Sequence, residues 1–350
     1  MTTVLTVGVY RETAPGERRV ALLPESIRAV AGLGLTVLVE SGAGALSFRS
    51  DTRYRESGAG IVRLDELLDR SDVLVGVRPP NLPVGRCLRR GQLVIALLDP
   101  MHMPFRVRGW ADGGVTALGL DLAPENSVLA RPMDAVASQG RLAGYKAALL
   151  AADHLDRPLP DTAGAAPGPA HALVLGTDDT ARAAAETLRR LGADVRTGDA
   201  GLLGPSAAGR LIDTDLIVTA VRPRRGRPPP VLVTASDLAD MRPGAVVVDT
   251  AAGPDGGNVE GVEAEGSSTV GGGATLIGAG RLAEGIPAAA SAAYAGNVGA
   301  LLEYLVRDGE LWIDADDPVQ KAMLVTHDSL VRARDVWQLI LEQTAVAGLP

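Results

Sequence analysis

The stretch RETAPGERRVALLPE, residues 11–25, decides the predicted fold of this chain. It follows a short apolar run, and its Pro-Gly pair predicts a tight turn. A buried, strand-like segment is expected at 20–23, and Pro24 suits the first position of a helix. Arg18 and Arg19 therefore lie in a strand-to-helix loop. An arginine held there can bind a carboxylate or phosphate through two parallel hydrogen bonds, although a single loop arginine is more often only solvated.

Strand and helix signals alternate along the rest of the chain. Apolar runs predict strands at 5–9, 35–39, 73–77, 93–98 and 115–118, then at 171–176, 194–197, 216–220 and 245–249. Helices are predicted at 25–33, 64–71, 134–155, 180–191 and 286–306, and a proline- and glycine-containing linker at 157–170. Strands spaced by helices indicate βαβ units with parallel sheets, so the expected fold class is α/β.

The composition excludes several classes of protein. A chain of 350 residues, 46% of them hydrophobic, fits about two domains of a globular protein. The net charge of −8 argues against nucleic acid and anionic membranes as partners. A single cysteine excludes a disulfide framework and suits the cytoplasm, and the four histidines lack the spacing of a metal site. The sequence predicts neither a membrane span nor a signal peptide.

The stretch GTDDTA, residues 176–181, occupies the position of a dinucleotide-binding loop, after an apolar strand and before a helix. Gly176 and Ala181 match the first and last positions of the fingerprint. Asp178 replaces its middle glycine and places a negative charge where a diphosphate would bind. Asp178 is equally well explained as the N-cap of the helix. Asp199 has the residue type and distance that suit the ribose hydroxyls of NAD.

Several stretches resemble one protein family over nearly the whole chain. They are PGERRVALLPE (15–25), VESGAG (39–44), MDAVASQGRLAGYKAALLAA (133–152), MRPGAVVVD (241–249), GGNVE (256–260), ASAAYAGN (290–297) and LVTHD (324–328). They resemble the family of alanine dehydrogenase and the NAD(H)-binding alpha subunit of proton-translocating transhydrogenase, and the transhydrogenase side is closer. The resemblance implies two Rossmann-like domains with parallel sheets and an interdomain cleft, usually in a homodimer. It implies a substrate and catalytic domain from residues 1–135 plus 300–350 and a dinucleotide-binding domain at 145–290.

Several positions depart together from the transhydrogenase pattern. Residues 129–131 read Leu-Ala-Arg in place of an Arg-Ala-Gln segment that organises the nicotinamide. Asp134 is retained, whereas Ala137 replaces a serine, and the segment at 199–216 is shorter than in the family. The resemblance implies that Arg131 and Asp134 contact the cofactor. The departures predict altered chemistry, or a cofactor site that is weakened or lost.

The alanine dehydrogenase side of the family implies catalytic positions. Its carboxylate-binding arginine aligns with Arg19, and its active-site lysine aligns with Arg78, which keeps the charge and loses a titratable amine. Its catalytic histidine aligns with Asp99. His102 lies three residues further on and could replace that histidine if its loop turns inward, although a loop histidine is more often exposed. The catalytic aspartate corresponds only approximately to Asp255, so an ordinary alanine dehydrogenase is not expected.

Three functions stay open. The first is a stand-alone NAD(P)-dependent oxidoreductase for an amino or oxo acid, with Arg19 and Arg78 binding the carboxylate. Asp134 or His102 would then handle polarity or the proton. The second is a transhydrogenase NAD(H)-binding alpha-type subunit, and the third is a non-redox descendant with a degenerate NAD site. NAD is favoured over NADP because Asp199 disfavours a 2′-phosphate. The expected partners are a small-molecule substrate and a second copy of the chain.

Overall fold

A computed structural model of the chain describes residues 4–161, 168–199, 211–223 and 226–347. The chain divides into two compact units, one of residues 1–136 with 287–350 and one of residues 137–286. The return to the first unit lies at residue 287, earlier than the expected 300. The helix that begins there packs its apolar side chains into the core of the first unit, which explains the difference.

The elements alternate along the chain as the sequence predicts. In chain order the strands are β1 (Thr6–Val9), β2 (Thr36–Glu40), β3 (Gly60–Val62), β4 (Val73–Val75), β5 (Leu93–Ala96), β6 (Thr116–Gly119), β7 (His171–Leu175), β8 (Asp194–Gly198), β9 (Leu216–Thr219), β10 (Val246–Asp249), β11 (Glu265–Val270), β12 (Ala274–Ala279), β13 (Val306–Arg307), β14 (Glu310–Leu311), β15 (Leu324–His327) and β16 (Leu330–Val331). The helices are α1 (Pro24–Gly32), α2 (Asp51–Glu56), α3 (Leu64–Arg70), α4 (Leu82–Arg86), α5 (Pro104–Asp112), α6 (Ala135–His154), α7 (Asp179–Arg190), α8 (Ala235–Ala239), α9 (Pro287–Leu305), α10 (Pro318–Met323) and α11 (Arg334–Ala347). Within the described ranges, none of these helices has the length and apolar character needed to cross a membrane.

The first unit contains a sheet with strand order β16-β15-β6-β5-β4-β1-β2-β3. The six strands from β3 to β6 are parallel, whereas β15 and β16 are antiparallel additions. The parallel part has the order 3-2-1-4-5-6 of a doubly wound fold, and the order reverses between β1 and β4. Ligands of such sheets bind beyond the carboxyl ends of the strands at this reversal.

The core of the first unit lies on both faces of this sheet. Successive strand residues point to opposite faces, so Val73 and Val75 enter one core and Leu74 enters the other. Helix α9 adds Tyr294 and Val298 to the first of these cores. Burial on both faces explains why the strand sequences are almost wholly apolar.

The second unit contains a sheet with strand order β11-β12-β10-β9-β7-β8, parallel except for β11. Its order reverses between β7 and β9. Helix α6 passes close to the first turn of α7, because a Cβ on Gly144 would lie 2.1 Å from the carbonyl oxygen of Thr180. This approach fixes the start of α7, where the loop of residues 176–181 ends.

The predicted α/β class is confirmed, and the predicted elements lie within two residues of their expected ends. The strand-like segment at 20–23 is wrong: it is buried but belongs to no strand among the described residues, and Val20 N–H donates to Ser291 Oγ at 3.0 Å. Strand β11 was not predicted, because its residues are mostly polar and exposed at a sheet edge. The predicted linker at 157–170 and the shortened segment at 199–216 lie partly outside the described residues.

Substitution of Gly144 tests the close approach of α6 and α7. We expect Gly144→Ala to lower the free energy of unfolding by about 2 kcal/mol, because the new methyl group would overlap a backbone oxygen. Gly296→Ala is the matched control, since Gly296 also lies inside a long helix and its Cβ would meet no described atom within 4 Å. The control should be neutral or stabilise by up to about 1 kcal/mol. Equal urea-unfolding midpoints for the two variants would contradict this packing.

Candidate functional site

The first candidate site begins with the tight turn after β1. Glu17 N–H donates to the carbonyl oxygen of Ala14 at 3.1 Å, and Gly16 has a φ of +79°. Glycine suits the third position of such a turn because side chains disfavour positive φ. The turn directs the carboxylate of Glu17 into the interior, where none of it is exposed.

Arg19 binds the chain's own carboxylate. Its Nε donates to Glu17 Oε1 at 2.8 Å and its Nη2 to Glu17 Oε2 at 2.6 Å, and 5% of its side chain is exposed. These are the two parallel hydrogen bonds that the sequence assigned to a ligand. Arg19 is therefore oriented by Glu17, while the neighbouring Arg18 is exposed.

Arg78 reaches the same carboxylate from the end of β4. Its Nε donates to Glu17 Oε2 at 3.1 Å, and 38% of its side chain is exposed. Strands β1 and β4 are neighbours, so their carboxyl ends bring both arginines to one point. We call Glu17, Arg19 and Arg78 the Glu17 cluster. It joins two predicted site residues through a third that was not among the predicted ones.

Glu12 binds the backbone that follows β4. This half-buried carboxylate accepts hydrogen bonds from Val77 N–H at 2.6 Å and from Arg78 N–H at 3.3 Å. Glu12 thus fixes the backbone from which the Arg78 side chain extends.

Two buried tyrosines hold the same loop from other directions. Tyr10 donates to the carbonyl oxygen of Arg78 at 2.5 Å, and Tyr294 donates to that of Gly76 at 2.8 Å. A Cβ on Gly76 would lie 1.9 Å from the Tyr10 ring, so the packing requires glycine there. Burial raises the pKa of both tyrosines well above its usual value, which keeps them protonated as donors.

The pKa values of Glu17 and Glu12 are shifted in opposite directions. Burial alone would raise the pKa of Glu17, but the hydrogen bonds and charge of Arg19 outweigh it and lower this pKa to about 2. Burial raises the pKa of Glu12 to about 8, although the hydrogen bond from Val77 opposes the shift. Glu17 is therefore ionised at neutral pH, whereas Glu12 is mostly protonated.

Asp99 and His102 form a separate pair after β5. His102 Nδ1 lies 2.8 Å from Asp99 Oδ1, and both side chains are exposed. Asp121 anchors the loop by accepting hydrogen bonds from the N–H groups of Leu98 and Asp99, both at 2.8 Å. Burial raises the pKa of this Asp121 carboxyl. The structure thus brings two predicted site residues together at the carboxyl end of the strand next to β4.

Arg131 and Asp134 lie where the chain leaves the first unit. Arg131 is exposed and begins a single helical turn, Arg131–Met133, and the half-buried Asp134 directly precedes α6. Asn297 Nδ2 donates to the carbonyl oxygen of Pro132 at 2.7 Å and ties this turn to α9.

The dinucleotide-type loop after β7 begins with a required glycine. Gly176 has a φ of +139°, and a Cβ there would lie 2.5 Å from the carbonyl oxygen of Ala220 at the end of β9. A glycine is thus needed at the first fingerprint position, because β7 passes close to its neighbour.

Asp178 fills the anion position of this loop with its own carboxylate. Its Oδ1 accepts the N–H of Ala181 at 3.0 Å as the N-cap of α7, and its Oδ2 accepts Arg222 Nε at 3.1 Å. The capping interpretation is therefore confirmed, and Arg222 is a charged neighbour that no sequence motif indicated. The side chain of Asp178 is 22% exposed, so this pair reaches solvent.

The loop fits a nicotinamide dinucleotide in its backbone path and differs from the fingerprint in charge. Gly176 and the start of α7 would hold the diphosphate. Asp178 opposes that anion, and Arg222 supplies a cation that can offset it. Asp199 follows β8 at the same edge of the sheet and is exposed, as a ribose ligand would be.

Asp255 is exposed at the tip of a turn closed by Gly253 and Gly256. The neighbouring Asp249 is fully buried instead. It accepts hydrogen bonds from the N–H groups of Ala251 at 2.9 Å and Val259 at 3.0 Å, and so shapes this loop. Burial raises the pKa of the Asp249 carboxyl.

Several residues that build these sites were not predicted from the sequence. Glu17 stands inside the quoted stretch beside the arginines, and an acid next to an arginine in a buried loop was a usable signal. Tyr294 and Arg222 had no such signal, because their partners lie 218 and 44 residues away in the chain.

The chain has two mainly parallel sheets of doubly wound type, and strand β7 of the second sheet leads into a dinucleotide-type loop. These features define the class of two-domain α/β nicotinamide-nucleotide-linked proteins. The chain belongs to the alanine dehydrogenase/PNT family. The model of the family's N-terminal domain matches residues 8–143, and that of its C-terminal domain matches residues 206–334.

Individual relatives agree with this assignment. NAD(P) transhydrogenase subunit alpha of Cereibacter sphaeroides is 29% identical over 93% of this chain and 70% of its own. Alanine dehydrogenase of Mycobacterium tuberculosis is 30% identical over 70% of this chain and 72% of its own. The crystal structure of transhydrogenase from Sinorhizobium meliloti superposes with a TM-score of 0.85 and 34% identity, covering 93% of this chain and 99% of the other.

The raised pKa of Glu12 predicts a pH-dependent stability. Folding favours its protonated form, so its contribution is complete below its ordinary pKa of 4.5 and is lost as the pH rises to about 8. We expect the Tm of the wild type to fall across this range more steeply than that of Glu12→Gln. Glu66→Gln, at an exposed ion pair, is the control and should keep the wild-type slope. Parallel curves for wild type and Glu12→Gln would show that Glu12 is ionised in the folded chain.

Asp178 is expected to limit nucleotide affinity. Asp178→Gly removes a negative charge from the phosphate position and should tighten NADH binding about fivefold, or about 1 kcal/mol in a partly solvated site. Glu186→Gln, at the far end of the same helix, should leave the Kd unchanged. Calorimetric titration measures both. Weaker binding by Asp178→Gly would show that the loop does not receive a phosphate.

Proposed function

We propose that the chain is a stand-alone NAD(H)-dependent oxidoreductase that transfers hydride to or from a small amino or oxo acid. The observation that supports this function is the Glu17 cluster, a buried group of fixed charges at the strand-order reversal of the first unit. Its half-buried member, Arg78, would bind the substrate carboxylate.

The second unit would hold the cofactor, which supplies or accepts the hydride when bound. Gly176 allows the close loop, and the N-terminus of α7 together with Arg222 would face the diphosphate. Asp199 favours NAD because a 2′-phosphate would be repelled by its carboxylate.

The proton would be exchanged by the Asp99–His102 pair. His102 Nδ1 lies 2.8 Å from Asp99 Oδ1, so Asp99 would orient the imidazole for this exchange. Asp134 offers a second polar group before α6. The family resemblance further supports a homodimer in the cytoplasm.

A transhydrogenase NAD(H)-binding alpha-type subunit is the second candidate. It is favoured by the likeness to the transhydrogenase from Sinorhizobium meliloti over 93% of this chain. In that case the chain would bind NADH and pass hydride to a partner's nucleotide, and Arg78 would have no substrate carboxylate to bind. A non-redox descendant is the third candidate, and the acidic Asp178 favours it.

The test is NADH oxidation by the purified full chain with a panel of 2-oxo acids, with and without ammonium. We expect Arg78→Gln to lower kcat/KM at least tenfold, a loss of about 1.4 kcal/mol or more, with an unchanged Tm. Arg19→Lys should lower kcat/KM by a similar factor and also lower the Tm, because lysine cannot reproduce the paired hydrogen bonds to Glu17. Arg18→Gln is the control in the same loop and should stay within about threefold.

The outcomes separate the three candidates. Turnover that is absent with every acid but appears with an NADP-binding partner would establish the alpha-type subunit. Absence of NADH binding in the wild type and in Asp178→Gly would establish a non-redox descendant. Loss of turnover in Arg18→Gln equal to that in Arg78→Gln would exclude Arg78 as a specific ligand.

A further inference from the structure

Asn258, in the stretch GGNVE at 256–260, is fully buried in the second unit and binds backbone groups through both ends of its amide. Its Oδ1 accepts the N–H of Val221 at 2.9 Å. Its Nδ2 donates to the carbonyl oxygens of Val221 and Pro230, both at 2.9 Å. Such an amide fixes the backbone that it binds, because breaking any of these bonds would leave a polar atom of the buried side chain unsatisfied.

The neighbours of Asn258 fix its own position. The N–H of Leu232 donates to the carbonyl oxygen of Asn258 at 2.7 Å. Val259 N–H donates to Asp249 Oδ2 at 3.0 Å, and Gly257 must be a glycine because a Cβ there would overlap the same carboxylate. Asn258 is therefore anchored to the end of β10 on one side and binds the segment after β9 on the other.

The segment that Asn258 binds carries Arg222. This segment follows β9, and the structure describes it at 221–223 and 226–230. Val221 directly precedes Arg222, whose Nε donates to Asp178 Oδ2 at 3.1 Å. Because Asn258 binds both backbone groups of Val221, it determines where the Arg222 side chain begins. The contacts thus run from Asn258 through Arg222 to Asp178, at the middle position of the dinucleotide fingerprint.

Arg222 determines the charge that a diphosphate would meet in this loop. Asp178 and Arg222 form a partly exposed pair, with 22% and 45% of their side chains exposed. The guanidinium offsets the carboxylate only while the two groups stay close, since their attraction falls with distance. A shift of Val221 would carry Arg222 away from the loop, and the negative charge of Asp178 would then repel the phosphates more strongly.

We propose that Asn258 is a positioning residue for the nucleotide, because it holds Val221 so that Arg222 offsets Asp178 and binds the diphosphate. Asn258 is fully buried and acts through Arg222. This role also explains why an arginine-bearing segment and the stretch GGNVE, far apart in the sequence, are joined by one amide. The inference rests on the proposed function for its nucleotide, but it concerns the binding of NADH alone and requires no hydride transfer.

The test is a double-mutant cycle in the full chain, in which calorimetric titration measures the Kd of NADH and urea unfolding measures stability. We expect Asn258→Ala and Arg222→Gln each to weaken NADH binding about tenfold. Because Asn258 acts through Arg222, the double variant should also bind about tenfold more weakly than the wild type, and not about a hundredfold. Asn258→Ala should lower the free energy of unfolding in both backgrounds, so a purely structural role would change stability and leave the Kd unchanged.

Gln92→Ala is the matched control, because Gln92 is a buried amide of the first unit that binds the backbone in the same way. Its Oε1 accepts the N–H of Arg89 at 2.6 Å, and its Nε2 donates to the carbonyl oxygens of Leu68 and Ser71, both at 2.8 Å. Gln92→Ala should lower the free energy of unfolding as Asn258→Ala does, but it should leave the Kd of NADH unchanged.

Arg222→Gln covers the case in which Asn258→Ala does not fold, because 45% of the Arg222 side chain is exposed and its replacement opens no core. An NADH Kd within about twofold of the wild type in Arg222→Gln, or in folded Asn258→Ala, would overturn the proposal, as would a loss of about a hundredfold in the double variant. The predicted coupling without reduction of any 2-oxo acid would leave this inference standing and remove the proposed oxidoreductase function. A wild type that binds no NADH would overturn both.

Discussion

The buried carboxylate of Glu17 is the constraint on which the first unit depends. It receives Arg19 from its own loop and Arg78 from the loop after β4, so one ion cluster joins the two strands at which the sheet order reverses. Removing Arg19, the buried one of its two partners, would cost about 3–5 kcal/mol, because the charge of Glu17 would stay in the interior. Glu12, Tyr10 and Tyr294 serve the same arrangement, since each fixes the backbone from which Arg78 extends.

The second unit has a similar but weaker pairing of an acid with an arginine at a strand end. Asp178 also lies beyond a strand end where the order reverses, and it too pairs with an arginine, Arg222. Glu17 is fully buried and is bound by two arginines, whereas the Asp178 pair is partly exposed and therefore weakly held. Under the proposed function, a diphosphate would compete with Asp178 for Arg222.

The sequence was sufficient for the fold and insufficient for the sites. Buried parallel strands appear as apolar runs, so β1, β4 and β7 were predictable from these runs alone. Gly176 and Asp178 were identifiable because the fingerprint prescribes their positions. The partners of the arginines were not predictable, because hydrogen bonds such as that from Tyr294 to Gly76 depend on how distant segments pack. The polar edge strand β11 likewise has no apolar signal.

The resemblance to alanine dehydrogenases implies a lysine at the position of Arg78, and the same electrostatics would favour an arginine there. A lysine ammonium is a compact charge on a flexible stem, whereas a planar guanidinium can donate to Glu17 through Nε while 38% of its side chain stays exposed. Arg78 therefore belongs both to the buried cluster and to the surface. Under the proposed function, proton exchange would fall to groups outside the cluster, and the Asp99–His102 pair lies after the neighbouring strand.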